Sequence, residues 1–178
     1  MANKKDLLNA FGKMENERKQ LLTELEKFEV IKLEKKPSAD EWSVTEVIMH
    51  LVVAESAALA YLRKKLEVGG HGKASISAGI KQRLLNLAIA LPIKYKAPKV
   101  AQLKAGEVVS YTEAVQRWQT LRNEMKATYE MLDDSMVDHE LFKHPAAGKI
   151  SALQGVKFMR QHVLRHVDQI NRTTARVQ

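Results

Sequence analysis

Two histidines near the end of the chain, His162 and His166, lie four residues apart in the segment FMRQHVLRHVDQI. On a helix this spacing places both imidazoles on one face. Because a helix rises about 1.5 Å per residue, the two side chains start roughly 6 Å apart and can lean together. Two nitrogens bound at about 2.0–2.1 Å to one tetrahedral ion lie roughly 3.4 Å from each other, so the pair is suited to bind a metal ion.

A third histidine, His50, lies in the middle of an apolar helical segment, EVIMHLVVAE, on the same stripe as Val47 and Ala54. For a lone buried histidine, hydrogen bonding to a carbonyl or a tyrosine is the favoured explanation. Three histidines on the inner faces of two helices favour metal binding instead, because each unmetallated imidazole would need its own partner. The sequence therefore predicts a metal site at His50, His162 and His166, with three structural histidines as the alternative.

Three neutral imidazoles form an open site. Structural zinc usually has four protein ligands, whereas a set of three leaves a position for water or substrate, as in catalytic zinc. An ion there can lower the pKa of a water to about 7, or it can polarise a thiol or a carbonyl. Imidazole suits zinc, nickel, iron and copper, so the pattern does not select the metal.

Several polar residues are candidates to support this site. Glu46, Glu55 and Gln169 could orient the histidines, although helix capping is the favoured role for Glu46. Arg122, on the core-facing side of its helix, could bind a substrate anion, but extension into solvent is the favoured alternative.

The remaining histidines are weaker candidates because they lie in predicted loops. They are His71, His139 and His144, of which His144 is interpreted as a loop anchor.

Four long segments repeat apolar residues at helical spacing. They run from about Lys4 to Phe28, from Ser43 to Gly69, from Ser110 to Leu132 and from Ser151 to about Thr174. The last three open with predicted capping boxes at their serines. A shorter basic helix is predicted from Ser77 to Leu91, and no segment shows a strand-like alternation. These elements predict an all-α fold: a four-helix bundle with the short basic helix between its second and third long helices.

The composition fits one globular domain over residues 1–178, because 45% of the 178 residues are apolar and 28% are charged. The absence of cysteine excludes disulfides, thiolate catalysis and cysteine-ligated zinc. The N-terminal segment has no apolar signal region, and the most apolar stretch, LLNLAIALPI, is too short to span a membrane. The sequence therefore predicts a cytoplasmic protein with no membrane span.

The net charge of +8 is concentrated between Arg63 and Lys104, where ten basic residues accompany one acid, Glu67. A solvated connection is the favoured interpretation. The alternatives are an anionic substrate, a membrane surface or nucleic acid. Nucleic acid is disfavoured because only Tyr61 and Tyr95 are available as stacking platforms.

Five segments occur in the order typical of the DinB-like family, which the chain resembles from about residue 5 to residue 172. They are PSADEWSVTEVIMHL, KAPKV, EAVQRWQTLRNEM, FKHPAAGKIS and QHVLRHVDQI. Within the family, the chain is similar to the branch of metal-dependent hydrolase-like and bacillithiol-transferase-like proteins.

The resemblance implies a four-helix bundle of DinB-like type, a homodimer, and a divalent metal site at His50, His162 and His166. It further implies activation of water or a low-molecular-weight thiol, for hydrolysis or S-transfer on a small substrate. Zinc or nickel is the expected metal, and the catalytic residues are unknown. A non-catalytic metal-binding or interaction bundle is the alternative.

Overall fold

The structure is a computed structural model that describes residues 2–69, 72–74, 109–144 and 148–177. Its helices in this part of the chain are α1 (Lys4–Leu25), α2 (Val30–Glu34), α3 (Val44–Val68), α4 (Tyr111–Met131) and α5 (Ala152–Thr174). The protein is mostly helical, as predicted. Helix α1 stops before Phe28, and the short helix α2 was not predicted. The predicted basic helix from Ser77 to Leu91 lies outside the described residues.

A small antiparallel sheet precedes α5. It consists of β1 (Phe142–His144) and β2 (Gly148–Ile150), with Phe142 opposite Ile150. The expectation that no strand would form is wrong here. Each strand has three residues, which is too short for an alternating pattern to be recognised. Phe142 and Ile150 are both buried and join the core.

Capping boxes begin α3 and α5, as the sequence predicts. The Ser43 side chain accepts a hydrogen bond from the Glu46 N–H at 3.2 Å, and the Glu46 carboxylate accepts one from the Ser43 N–H at 2.8 Å. Ser151 and Gln154 repeat this exchange at 3.2 and 2.9 Å. Both helices that carry the histidines therefore start at a defined residue.

The other two long helices differ from the predicted caps. Ser110 accepts from the Glu113 N–H, but the Glu113 carboxylate pairs with Arg117 at 2.6 Å, so this box is only half formed. Helix α1 begins with a complete box formed by Asn3 and Asp6, which the prediction missed. Asparagine and aspartate satisfy the same backbone donors as serine and glutamate.

Helices α1 and α3 each pack against both α4 and α5 around one apolar core. Among the described residues, only α3 is long and apolar enough to cross a membrane by length and composition, which is weak evidence of a span. More than half of its most apolar window is buried inside the protein. This burial is consistent with a core helix of a soluble protein.

A buried polar network connects α1, α3 and α4. The Arg122 guanidinium donates to both carboxylate oxygens of Glu55, at 2.7 and 2.8 Å, and the Trp118 indole N–H donates to Glu55 at 3.1 Å. Both charged side chains of this pair are 1% exposed. Arg122 and Arg18 lie over the Trp118 ring at 5.3 and 5.5 Å from its centroid, and Arg18 pairs with Glu15 at 2.6 Å. The charges are thus compensated where they are buried.

Gly155 in the first turn of α5 allows close approach of β1. A Cβ added at this position would overlap the Phe142 ring. We expect Gly155→Ala to lower the free energy of unfolding by about 1–3 kcal/mol, because overpacking outweighs the better helix propensity of alanine.

The matched control for this prediction is Gly12→Ala in α1, where no atom beyond the neighbouring residues and the helix's own backbone lies within 4 Å of the added Cβ. That change should raise the free energy of unfolding by up to about 1 kcal/mol. Urea denaturation of both variants measures the difference, and equal stabilisation by the two substitutions would contradict the predicted contact.

Candidate metal centre

Three imidazoles from two helices converge at one point. His50 comes from the middle of α3, and His162 and His166 come from α5. The Nε2 atom of His162 lies 3.3 Å from Nε2 of His50 and 3.1 Å from Nε2 of His166. The candidate ligand atoms of the three residues all lie within 4.8 Å of one another. The structure therefore brings together the three residues selected from the sequence, and their binding of a metal stays a prediction.

Gln169 fixes the tautomer of His166. Its Oε1 atom lies 2.9 Å from His166 Nδ1. Since an amide oxygen only accepts, Nδ1 carries the proton, and Nε2 keeps its lone pair beside the Nε2 atoms of the other two rings. This contact gives Gln169 the supporting role that the sequence suggested for it.

The close nitrogen contacts fit a shared cation. His162 Nε2 has two nitrogen neighbours, and a single N–H at this atom can point well at only one of them. Because His166 Nε2 carries a lone pair, a contact of His162 Nε2 that no N–H satisfies places two nitrogen lone pairs against each other. A cation between the three nitrogens is attracted to all of them, so the donor set fits a divalent ion bound by imidazoles.

Burial keeps two of the imidazoles uncharged. Desolvation by burial is the main cause that lowers the pKa of His162 to about 3, and the neighbouring His166, His50 and Arg165 contribute to this shift. Desolvation, with contributions from His50 and Arg165, lowers the pKa of His166 to about 4, and the hydrogen bond to Gln169 opposes this shift. Both rings are therefore neutral at neutral pH, which is the form that can coordinate a metal.

Two aromatic side chains flank the histidines. The ring centroid of half-buried Trp42 lies 5.1 Å from that of His50. The Phe158 ring stacks on His162 at 6.3 Å with an interplanar angle of 13°, and it contacts His144 edge-on at 4.1 Å. The sequence prediction missed Phe158, although its position four residues before His162 on α5 is a usable signal. Together the rings place apolar surface beside the polar cluster.

The amino-acid sequence matches a known protein family. A family model of the DinB superfamily matches residues 13–170. The chain belongs to the DinB superfamily. An uncharacterized protein of Bacillus subtilis strain 168, YuaE, is 25% identical over 147 residues, which cover 83% of this chain and 86% of that protein. No solved structure matches the chain.

The match supports the DinB resemblance at the level of the superfamily. The assignment to the bacillithiol-transferase-like branch stays a prediction. In this DinB-superfamily protein, the matched range contains all three histidines of the cluster.

Glu46 and Glu55 have other roles than orienting the histidines. Glu46 caps α3 and pairs with Lys36 at 2.8 Å, so the favoured capping interpretation is confirmed. Glu55 belongs to the buried pair with Arg122. Arg122 consequently neither extends into solvent nor presents its guanidinium to a substrate, and both alternatives considered for it are wrong. The sequence alone does not show that Glu55 on α3 and Arg122 on α4 face each other.

The other histidines do not join the cluster within the described part of the chain. His139 pairs with Lys73 in an isolated bridge. His144 lies buried in β1 rather than in a loop, and burial lowers its pKa. His71 lies outside the described residues.

We expect Gln169→Leu to weaken zinc binding by about 10–100-fold, because it removes the acceptor that holds the proton on His166 Nδ1. Competition with a chromophoric chelator measures the dissociation constant. The control is Gln116→Leu at an exposed position of α4, which should leave the affinity unchanged. Equal affinities in the two variants would argue against the tautomer assignment.

The lowered pKa values predict that the metal-free protein loses stability as the pH falls. Unfolded histidine has a pKa of about 6.5, so below that pH the unfolded chain binds protons that folded His162 and His166 resist until about pH 3–4. The contribution of these two neutral histidines to the free energy of unfolding is therefore complete above about pH 6.5. It decreases as the pH falls toward their folded pKa values of about 3 and about 4.

The test compares the unfolding free energy of wild type with that of His162→Phe from pH 7 to pH 5. As the pH falls, the unfolding free energy of wild type should decrease relative to that of the variant by up to about 1.4 kcal/mol per pH unit, because His162 takes up one proton on unfolding. A difference that is constant over this range would contradict the lowered pKa of His162.

Proposed function

We propose that this DinB-superfamily protein is a metal-dependent enzyme. His50, His162 and His166 hold a divalent ion, with zinc and nickel as the expected metals. The site activates water or a low-molecular-weight thiol for hydrolysis or S-transfer on a small substrate. One observation carries this proposal: the Nε2 atoms of His50 and His166 lie 3.3 and 3.1 Å from the Nε2 atom of His162.

An open coordination position is what makes the site suited to catalysis rather than to structure alone. Within the described residues, the cluster contains three histidines and no fourth ligand. A divalent ion bound in this way lowers the pKa of a water or thiol that shares its coordination sphere. The chain's own contribution is orientation: Gln169 holds the His166 ring, and Phe158 and Trp42 border the cluster with apolar surface.

The wider assignment extends to architecture and assembly. Four long helices around one core support a four-helix bundle of DinB-like type, formed as a single domain over residues 1–178. A homodimer in the cytoplasm and a place in the bacillithiol-transferase-like branch rest on the family resemblance alone and belong to the same proposal.

A second candidate is a non-catalytic metal-binding or interaction protein. It is favoured by the fact that the histidines join α3 to α5, so an ion bound by them would stabilise the fold whether or not it reacts. The two candidates differ in whether an external ligand can reach the metal. This second function requires a closed coordination sphere.

The first test is metal content. We expect the purified protein to bind about one divalent ion per chain, and His50→Ala, His162→Ala and His166→Ala each to weaken binding strongly, because two imidazoles remain. His139→Ala is the matched control and should bind as wild type does. If all three cluster variants bind divalent ions as well as wild type, the proposal fails.

The second test separates the two candidates. In the cobalt-substituted protein, azide should change the visible absorption if a coordination position is open. An unchanged spectrum at saturating azide would favour the non-catalytic function. Turnover of thiol and ester substrates by the metal-loaded protein, and its loss in His162→Ala, then tests the enzyme directly.

A further inference from the structure

Three aromatic rings form a column along one face of α5. Phe158, His162 and His166 follow one another at intervals of four residues, which brings their side chains together on a helix. The Phe158 ring lies nearly parallel to the His162 ring, with 6.3 Å between centroids and 13° between planes. The His166 ring meets His162 edge-on at 4.7 Å. His162 thus lies between two rings, of which one, Phe158, cannot bind a metal.

The two histidines of α5 are held in different ways. His166 is held by a hydrogen bond, since its Nδ1 atom donates to Gln169 at 2.9 Å. Within the described residues, the ring and hydrogen-bond contacts of His162 are with His50, His166 and Phe158. The first two are themselves candidate ligands. Phe158 is therefore the ring that contacts His162 from outside the cluster.

Phe158 is itself held by the small sheet. The His144 ring of β1 meets it edge-on, with 4.1 Å between centroids and an interplanar angle of 72°, and His144 is only 4% exposed. Burial lowers the pKa of His144, so an uncharged ring makes this contact at neutral pH. Edge-to-face pairs of this kind favour one relative direction of the two rings. The hairpin therefore limits where the Phe158 ring can point.

Strand β1 contacts α5 at two successive turns. Phe142 and His144 are two residues apart on the strand, so their side chains lie on the same face. Phe142 packs where Gly155 leaves space, because a Cβ at that position would overlap its ring. Phe158 follows Gly155 by three residues, which is about one helical turn. Two contacts hold the strand along the helix, so the place of His144 beside Phe158 does not depend on a single contact.

We propose that Phe158, held by His144 of β1, positions the His162 imidazole for metal binding. This proposal rests on the function proposed above, and it adds a positioning residue to that site and a role for the hairpin. A ligand ring that is already held in place loses less conformational freedom when the ion binds. Side chains that hold metal ligands typically contribute about 10–100-fold to metal affinity. Here a parallel ring does for His162 what the Gln169 amide does for His166.

The experiment uses the full chain, with cobalt as the probe. Competition with a chromophoric chelator gives the dissociation constant, and visible absorption follows the coordination geometry. The variants are Phe158→Leu, which removes the flat ring but keeps an apolar side chain, and Phe158→Tyr, which keeps the ring. The matched control is Phe28→Leu, the same change at another half-buried phenylalanine that packs against the core.

Phe158→Leu should weaken cobalt binding by about tenfold or more and change the visible spectrum of the bound ion, because His162 loses its fixed direction. Phe158→Tyr should restore both properties. Phe28→Leu should bind cobalt as wild type does, although urea denaturation should show a similar loss of stability, since each leucine variant loses part of a half-buried ring. A difference in affinity at similar stability is a result that a purely structural role would not produce.

A double-mutant cycle tests the contribution of the hairpin. His144→Leu should weaken cobalt binding in the wild-type background, because Phe158 loses its edge-on partner. In the Phe158→Leu background the same change should have little further effect, since both substitutions act through one ring. Additive effects of the two substitutions would overturn the role of His144.

The ring protons of His162 provide a readout in the metal-free protein. Their NMR resonances should shift in Phe158→Leu, because the ring current of the parallel phenylalanine is lost. They should stay in place in Phe28→Leu. Unchanged resonances in Phe158→Leu would contradict the stacked arrangement and overturn the proposal.

Cobalt binding separates failure of this proposal from failure of the metal function. Equal cobalt affinity in Phe158→Leu and Phe28→Leu would overturn the positioning role, and so would a loss of binding that Phe158→Tyr does not restore. If wild type binds about one cobalt per chain and His162→Ala does not, the metal function stands whatever the Phe158 variants do. If wild type binds no cobalt, the metal function fails and the positioning role falls with it.

Discussion

The buried pair between Arg122 and Glu55 is the constraint on which the position of α3 depends. Removing one partner would leave an uncompensated charge in the core, which typically costs about 3–5 kcal/mol. Glu55 lies five residues after His50 on the same helix. A shift of α3 by one residue would turn His50 by about 100° and break the ion pair at the same time. The pair that fixes α3 against α4 therefore also sets the direction of His50 toward α5.

Polar side chains join each of the four pairs of long helices that pack against each other in the described part of the chain. Arg160 on α5 pairs with Glu17 on α1 at 2.9 Å, and Arg18 on α1 contacts Gln119 on α4. Helices α4 and α3 are joined by the buried ion pair, and α3 and α5 by the histidines. The last junction is the only one of these four that lacks a carboxylate or an amide. It depends on imidazole rings, of which those of His162 and His166 are neutral at neutral pH, so it is where a cation has the most to contribute.

The histidine cluster was accessible from the sequence because its information is local. His162 and His166 share a helix, and the apolar neighbours of His50 show which way it faces. The ion pair of Glu55 with Arg122 could not be predicted from the sequence. It joins residues 67 positions apart, and neither helix carries a local pattern that indicates the other as its partner. Strands of three residues leave no periodic signal, and the contact of Phe142 with Gly155 depends on how those strands fold back. Local patterns thus predicted the helices and the cluster, while contacts between distant elements required the structure.

The two tryptophans occupy opposite kinds of environment, and this gives the protein two separate optical reporters. Trp42 lies beside His50, so its emission should respond to a paramagnetic or heavy ion at the cluster through short-range quenching. Trp118 is fully buried, contacts Arg18 and Arg122 and donates a hydrogen bond to Glu55, so its emission should change only when the core opens. Each tryptophan is the chain's single probe of its region, since the sequence contains two. Metal occupancy and global unfolding can therefore be followed independently without any added label.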